Sequence, residues 1–292
     1  MTPTAPLRIV VGAGYLGSRV ARLWAARGDR AIGTTRSSAR AESLAAEGIE
    51  PAVIDVASAD WKRLFTERGL PATIFWSVGF DRAAGGSSRD VHVVGLARML
   101  DAVAQAEAAG PPTSGGNQPG PRIIFSSSTG VWGDEAGGIV DETTPVSPAR
   151  EAGRTLVEAE ALLAAHPAGP GVALRFAGLY GPDRLPRLDD LRAGRPIPAD
   201  PESWLNLIHV DDAARVVVAV GDAAAPDPLY VVSDGQPIRR RDWYGRLAAE
   251  TGSPPPVFDP AAARTRGGDK RVNPARLLTA GLLFQRSAGH PL

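Results

Sequence analysis

Three short runs in this 292-residue chain hold residue types at spacings that can do chemistry. The first is Gly12-Ala13-Gly14-Tyr15-Leu16-Gly17, a Gly-x-Gly-x-x-Gly run. Glycine at these positions permits a tight turn at Gly12, close backbone approach to a pyrophosphate at Gly14, and close helix–sheet packing at Gly17. The pyrophosphate would lie on exposed N–H groups at the positive end of the following helix, in the turn that also holds Tyr15 and Leu16. An ordinary strand–turn–helix is the alternative reading of the same glycines. The second run is Gly33-Thr34-Thr35-Arg36-Ser37. An NAD site usually carries an acidic side chain here to bond the ribose 2′-hydroxyl. This chain has Arg36, nineteen residues beyond Gly17, with hydroxyls beside it and no carboxylate. A guanidinium can pair a 2′-phosphate bidentately, with Thr35 and Ser37 adding donors, so the cofactor expected is NADP, with NAD compatible with the glycines alone. A solvated arginine at a helix start is the alternative. The third run is Ser126-Ser127-Ser128, followed by Thr129-Gly130-Val131-Trp132.

These runs need a scaffold, and the hydrophobic pattern supplies one. Leu7–Val11 is a short apolar run ended by a glycine, the pattern of a buried strand. Leu16, Val20, Leu23 and Trp24 then share a helical face, closed by Gly28. Further strands are expected at Arg30–Gly33, Ala52–Val56, Thr73–Val78, Arg122–Ser127 and Val172–Phe176. Helices are expected between them at Ser38–Glu47, Asp60–Arg68, Arg89–Ala109 and Arg150–Ala165. Strands alternating with helices of this size imply right-handed crossovers and a parallel sheet covered on both faces. The fold class is therefore α/β, a Rossmann-type doubly wound parallel sheet over residues 1–177, with a smaller substrate-binding lobe over 178–292. Gly110–Pro121 reads as a surface loop within the first domain. In the lobe, helices are expected at Val210–Val220 and Arg239–Thr251 and a strand at Leu229–Val232. Asp211 reads as a helix cap with His209 as a packed neighbour, and Arg239-Arg240-Arg241 as a solvated helix start.

Composition removes several classes of function. Lys plus Arg and Asp plus Glu both count 32, so the net charge is zero and a nucleic-acid partner is not expected. There is no cysteine, which excludes disulfides, thiolate metal sites and a cysteine nucleophile. The four histidines show no ligand spacing, so no protein-held metal is expected. Neither a secretory signal nor a membrane-length apolar run is evident, which points to a cytoplasmic protein without a membrane partner.

The runs at 12–17, Asp55-Val56, FSSSTGVWGD at 125–134, LRFAGLYGP at 174–182 and IHVDDAA at 208–214 resemble the short-chain dehydrogenase/reductase superfamily, in its extended NAD-dependent epimerase/dehydratase branch. The GTTRS segment and WSVGFDR at 76–82 are similar to an atypical, YeeZ-like subgroup of reductases without an assigned substrate. The resemblance implies that Asp55 and Val56 meet the adenine and that Ser77 and Val78 border the cofactor. It implies that Ser126 and Phe176 lie beside the cofactor and that Ser128 is the catalytic Ser/Thr. A turn serine bonding its own backbone is the alternative for Ser128. The partner implied is a small-molecule substrate, which the sequence does not identify.

One departure bears on mechanism. The family's chemistry rests on a Tyr-x-x-x-Lys pair, in which the lysine lowers a tyrosine pKa of about 10. The matching segment places Ala152 at the tyrosine and Leu156 at the lysine. No Tyr-x-x-x-Lys occurs elsewhere among Tyr15, Tyr180, Tyr230, Tyr244, Lys62 and Lys270. Two readings follow: an NADP-dependent oxidoreductase or epimerase-like enzyme with another proton donor, or a non-catalytic NADP(H)-binding sensor or scaffold.

Overall fold

In the computed structural model, residues 5–80, 85–109, 120–168, 171–262 and 268–282 are described. Most of the expected Gly110–Pro121 loop and the last two residues of the 76–82 run lie outside them. Leu7–Val11 (β1) is buried at every position, as a central strand covered on both faces must be. Arg8 is tolerated there because its guanidinium bonds Thr73, Asp29 at 3.2 Å and Asp222 at 3.1 Å. Gly17–Ala26 (α1) buries Val20, Ala21 and Trp24, the stripe that its helical spacing sets.

Arg30–Thr35 (β2), Ser38–Ala46 (α2), Glu50–Val53 (β3), Trp61–Arg68 (α3) and Thr73–Trp76 (β4) continue the alternation. Ser37 caps α2 by accepting the Arg40 N–H, and Asp60 caps α3 by accepting that of Arg63. A π-helical turn, Asp90–Val94, leads into Gly95–Ala109 (α4), and Arg122–Ser128 (β5) follows. The ladders β1–β2, β2–β3, β1–β4 and β4–β5 are parallel. Downstream come Ile139–Val140 (β6), Glu151–Ala165 (α5), Val172–Phe176 (β7), Gly178–Tyr180 (β8), Leu188–Arg192 (α6), Trp204–Leu205 (β9), Leu207–His209 (β10) and Val210–Asp222 (α7). Leu229–Val232 (β11), Ile238–Arg239 (β12), Arg240–Thr251 (α8), Arg271–Val272 (β13) and Ala275–Thr279 (α9) complete the described elements. The main sheet has seven strands in the order β11-β7-β5-β4-β1-β2-β3. From β3 the chain crosses β1 to build outward on its other side, so the strand order reverses beside the carboxyl end of β1, where open α/β sheets hold ligands.

The chain clusters into two compact units. One comprises Met1–Ser127, Thr155–Leu174 and Ala214–Leu229; the other comprises Ser128–Arg154, Arg175–Ala213 and Tyr230–Leu292. Three two-stranded pairings, β10–β8, β12–β9 and β13–β6, supplement the main sheet. In the second unit Tyr180 sets its ring edge-on to His209 and Trp243, at centroid distances of 5.3 and 5.2 Å.

Several boundaries differ from the sequence reading. β3 is Glu50–Val53 rather than Ala52–Val56, because Asp55 turns the chain by accepting the Ala57 N–H at 3.0 Å. β2 runs on to the β-branched Thr35, which pairs with Val53. Asp211 lies inside the first turn of α7, and the cap is reversed: the buried His209 Nδ1 accepts the Asp211 N–H at 3.2 Å. Arg239 and Arg240 are not merely solvated, since they engage Trp204 and Ser203 respectively. No helix among the described residues is long and apolar enough to cross a membrane.

The π-helical turn carries His92, which is buried edge-on to Phe125 at 6.3 Å with no hydrogen-bond partner for Nδ1 among the described residues. Burial pushes its pKa down to about 4. The unfolded chain, with an ordinary histidine pKa of about 6.5, takes up the proton first. Stability is therefore present above pH 6.5 and is lost as pH falls toward 4, by up to about 3 kcal/mol. Denaturant unfolding of His92→Phe should show a shallower stability loss between pH 6.5 and 4 than the parent; identical slopes would refute the assignment.

Candidate functional site

A cleft of about 370 Å³ opens at the carboxyl ends of β1 to β4. Its floor is the turn after β1. Gly12 has φ +88°, and a Cβ there would lie 2.9 Å from the Ser77 carbonyl oxygen, so the turn sits directly against the end of β4. The Gly12 N–H donates to Thr34 Oγ1 at 2.9 Å and the Ala13 N–H to the Thr34 carbonyl at 2.8 Å, tying the turn to β2. A Cβ at Gly17 would fall 2.3 Å from the Gly12 carbonyl oxygen, which forces the start of α1 against the turn. Gly14 is different: a Cβ there meets nothing within 4 Å. The glycine thus leaves backbone bare toward the cleft. No side chain caps the start of α1; the Ser18 N–H donates to the Gly14 carbonyl at 3.0 Å, which ties the positive helix end to the turn.

The wall beyond β2 is cationic. Thr35, Arg36, Ser37 and Arg40 line it, and Arg40 Nε reaches back to the Ala13 carbonyl at 3.4 Å. Thr35 Oγ1 accepts the Ser37 N–H at 3.2 Å and Ser37 Oγ accepts the Arg40 N–H at 3.3 Å, so each hydroxyl keeps its own hydrogen to donate. Asp55 is the one carboxylate among the described lining residues. Val56, Ser77 and Val78 complete the opposite wall, with the Ser77 N–H anchored on the Val11 carbonyl at 2.7 Å. The cleft thus sets the glycine turn beside a wall that carries two guanidiniums.

The cleft therefore brings together Gly12, Gly14, Thr35, Arg36, Ser37, Asp55, Val56, Ser77 and Val78. Tyr15, Leu16, Gly17 and Ser126 are not part of its lining. Leu16 is buried, and Tyr15 stacks under Arg19, whose Cζ lies 4.4 Å from the ring centroid. Ser126 is half-buried at the end of β5. Sequence reasoning missed Arg40. Its place in the first turn of the helix that follows Arg36 is the signal that could have found it.

Ser128 and Phe176 belong to the second unit. Ser128 Oγ accepts the Gly130 N–H at 3.1 Å, closing a 3-10 turn, which is the bond of a turn serine. Trp132 is buried, donates Nε1–H to the Thr144 carbonyl at 3.1 Å, and carries Arg175 over its ring at 4.8 Å. Phe176 is buried in β7. Lys270 donates to the Trp132 and Gly133 carbonyls, both at 3.2 Å, and its burial lowers the pKa to about 8. A Cβ on Gly153 would lie 2.6 Å from the Gly130 carbonyl oxygen, so the first turn of α5 abuts the Ser128 turn. Ala152 in that turn is exposed, as are Arg150, Glu151 and Arg154. Leu156, in the first unit, packs half-buried against the hydrophobic core.

Comparison with known proteins gives a consistent result. The model of the NAD dependent epimerase/dehydratase family matches residues 9–232. Protein YeeZ of Escherichia coli (strain K12) is 29% identical over 255 residues, covering 85% of each chain. A functionally unknown conserved protein from Silicibacter pomeroyi DSS has a solved structure that is 28% identical, with a TM-score of 0.75 over 98% of this chain and 95% of that one. The complex of Thermus thermophilus UDP-glucose 4-epimerase with NAD has a TM-score of 0.74 over 97% of this chain and 95% of that one; at 19% identity it shows the fold alone.

The two glycines make opposite predictions for stability. Gly17→Ala should destabilise by about 1–3 kcal/mol, because a backbone carbonyl must yield. Gly14→Ala should stay within about 0.5 kcal/mol of the parent. Thermal unfolding checks both, and equal losses would contradict the packing described.

Proposed function

The chain belongs to the NAD dependent epimerase/dehydratase family, and from that premise we propose that it binds NADP in the β1–β4 cleft and acts as an oxidoreductase of that family without a Tyr-x-x-x-Lys pair. A nicotinamide dinucleotide is supported by the Thermus epimerase complex with NAD and by the glycine turn. The single observation that carries the choice of NADP is the cationic wall: Arg36 and Arg40 with the hydroxyls of Thr35 and Ser37, and no carboxylate at the end of β2. Two guanidiniums lining one wall match a 2′-phosphate better than a bare 2′-hydroxyl. Asp55 and Val56 would border the adenine, and Ser77 and Val78 the ribose and nicotinamide side. When bound, the nicotinamide would supply hydride transfer.

The chain itself then has to position a substrate and handle a proton. Ser128 accepts the Gly130 N–H but keeps its own hydroxyl hydrogen, so it can donate a hydrogen bond to a substrate oxygen. A serine with that role polarises and orients; the net proton would come from another group or from the substrate itself. Positioned acid/base catalysis contributes about 10²–10⁴-fold, so its loss slows turnover without removing what cofactor positioning provides. The second reading, an NADP(H)-binding sensor or scaffold without turnover, is favoured by one specific observation: exposed Ala152 and core-packed Leu156 stand where the family's pair would be.

Cofactor titration tests the first part. NADP should bind more tightly than NAD. Arg36→Ala or Arg40→Ala should weaken NADP about tenfold to a hundredfold, the loss of one charge-assisted pair of about 1.5–3 kcal/mol, and leave NAD nearly unchanged. Gly14→Val should lose both cofactors at an unchanged melting temperature. Equal affinities for NADP and NAD in the parent would overturn the assignment.

Turnover tests the second. Substrate-dependent NADPH consumption across small carbonyl compounds and sugar nucleotides favours the enzyme. The double variant Ala152→Tyr with Leu156→Lys should gain weak activity that neither single variant matches, because the pair acts as a unit. Robust parent activity requiring a group titrating near neutrality would show that another residue already serves as the acid.

A further inference from the structure

A second cavity of the first unit, of about 360 Å³, lies between α3 and α4 and shares none of its described lining residues with the β1–β4 cleft. Trp61, the first residue of α3, is its buried apolar member. Its ring packs on those of Phe65 and Trp76, at centroid distances of 6.4 and 6.0 Å, and is held rigidly there. Four charged side chains complete the lining: Asp60 and Lys62 at the start of α3, and Arg98 and Asp101 on α4. All four are exposed. Gln105, one turn beyond Asp101, adds a neutral amide.

Two cations and two carboxylates thus line one cavity, yet among the described residues no ion pair joins any of them. Arg98 and Asp101 stay apart even at a helical spacing of three, where opposite charges ordinarily meet. Arg98 Nη1 donates to the neutral Ala57 carbonyl, which leaves Nε and Nη2 with hydrogens to give. The Lys62 ammonium donates to no described residue. On the acidic side, Asp60 Oδ1 accepts the Arg63 N–H at 3.0 Å and leaves Oδ2. Asp101 Oδ1 lies 3.2 Å from His166 Nε2, and His166 Nδ1 accepts the Ala168 N–H at 3.2 Å, so the ring donates to Asp101 through Nε2–H. Asp101 Oδ2 stays open. The opposite charges are held apart with the cavity available to both.

We propose that this α3–α4 cavity binds a small zwitterion of the α-amino-acid type, its carboxylate on Arg98 and Lys62 and its ammonium on Asp101 and Asp60. A polyanion would meet the two carboxylates and a polycation the two cations, whereas a molecule with one charge of each sign is attracted by both pairs. The remaining guanidinium nitrogens suit a planar carboxylate. An ammonium carries three N–H donors, which the open carboxylate oxygens and the Gln105 amide oxygen can accept. Trp61 supplies a fixed apolar surface for the ligand's carbon atoms. The site lies apart from the glycine turn, and its test is arranged to separate the two.

Glycine, serine, glutamine and leucine are titrated into the full chain by calorimetry, each beside its N-acetyl derivative and its carboxamide. Saturable binding of at least one amino acid is expected, with both of its blocked forms about tenfold weaker or more, since each has lost one charge. Arg98→Gln and Asp101→Asn should each weaken the free amino acid by a similar factor, with Arg98→Lys intermediate because it keeps the charge and loses the fork. These side chains are exposed, so the variants should melt with the parent and report on binding alone. In a Gly14→Val background, which disables the glycine turn, the site should still bind. Four results would overturn the proposal: no saturable binding by any of the four amino acids, an N-acetyl or carboxamide form binding as tightly as its parent, binding indifferent to both Arg98→Gln and Asp101→Asn, or binding that disappears with Gly14→Val.

Discussion

A carbonyl oxygen at Gly12 leaves room for no side chain on Gly17, and the cleft depends on that close approach. It brings the positive end of α1 onto the turn after β1, while Gly12 itself lies against the Ser77 carbonyl and is tied to Thr34. Three strands are thereby locked to one turn. Much of the cleft lining follows the ends of those strands, with Asp55 and Val56 added after β3 and Arg40 from α2. Gly14, where an added Cβ would meet nothing within 4 Å, is the position where this tightness is relaxed.

Arginine carries most of the positive charge, with 30 arginines against Lys62 and Lys270, and it does several different jobs. Arg8 is a buried strut held by an alcohol and two carboxylates. Arg122 Nη1 gathers the Val220, Gly221 and Ala223 carbonyls and so finishes the end of α7. Arg175 covers an indole. Arg36 and Arg40 do another job again, lining the cleft with the hydroxyls of Thr35 and Ser37 beside the glycine turn.

The alternation of buried strands and amphipathic helices was plain in the sequence because each of these elements up to β7, apart from the two-residue β6, is long enough to show its period. Leu7–Val11 and Val172–Phe176 fall where the apolar runs placed them. What escaped were the two- and three-residue strands β6, β8, β9, β10, β12 and β13, too short for any periodicity to register. The site was legible where it depends on local chain geometry, as at Gly12–Gly17 and Thr35–Ser37. It was not legible where it depends on long-range folding: Lys270 reaches Trp132 across 138 residues of sequence, and nothing near either residue announces the contact. Asp211 and His209 show a subtler failure, in which the motif was seen but the donor and acceptor were exchanged.

The strut at Arg8 also governs the order in which the chain can finish folding. Its first carboxylate, Asp29, lies 21 residues away; Thr73 is 65 away and Asp222 is 214 away. During synthesis β1 precedes the last of its charged partners by 214 residues. Until then β1 carries a guanidinium whose full set of partners is not present, so complete burial of the strand is costly and the nascent sheet must wait, partly solvated, for α7 to arrive. A parallel sheet with such distant closure folds late and slowly, with its unpaired edges exposed to other chains for that interval.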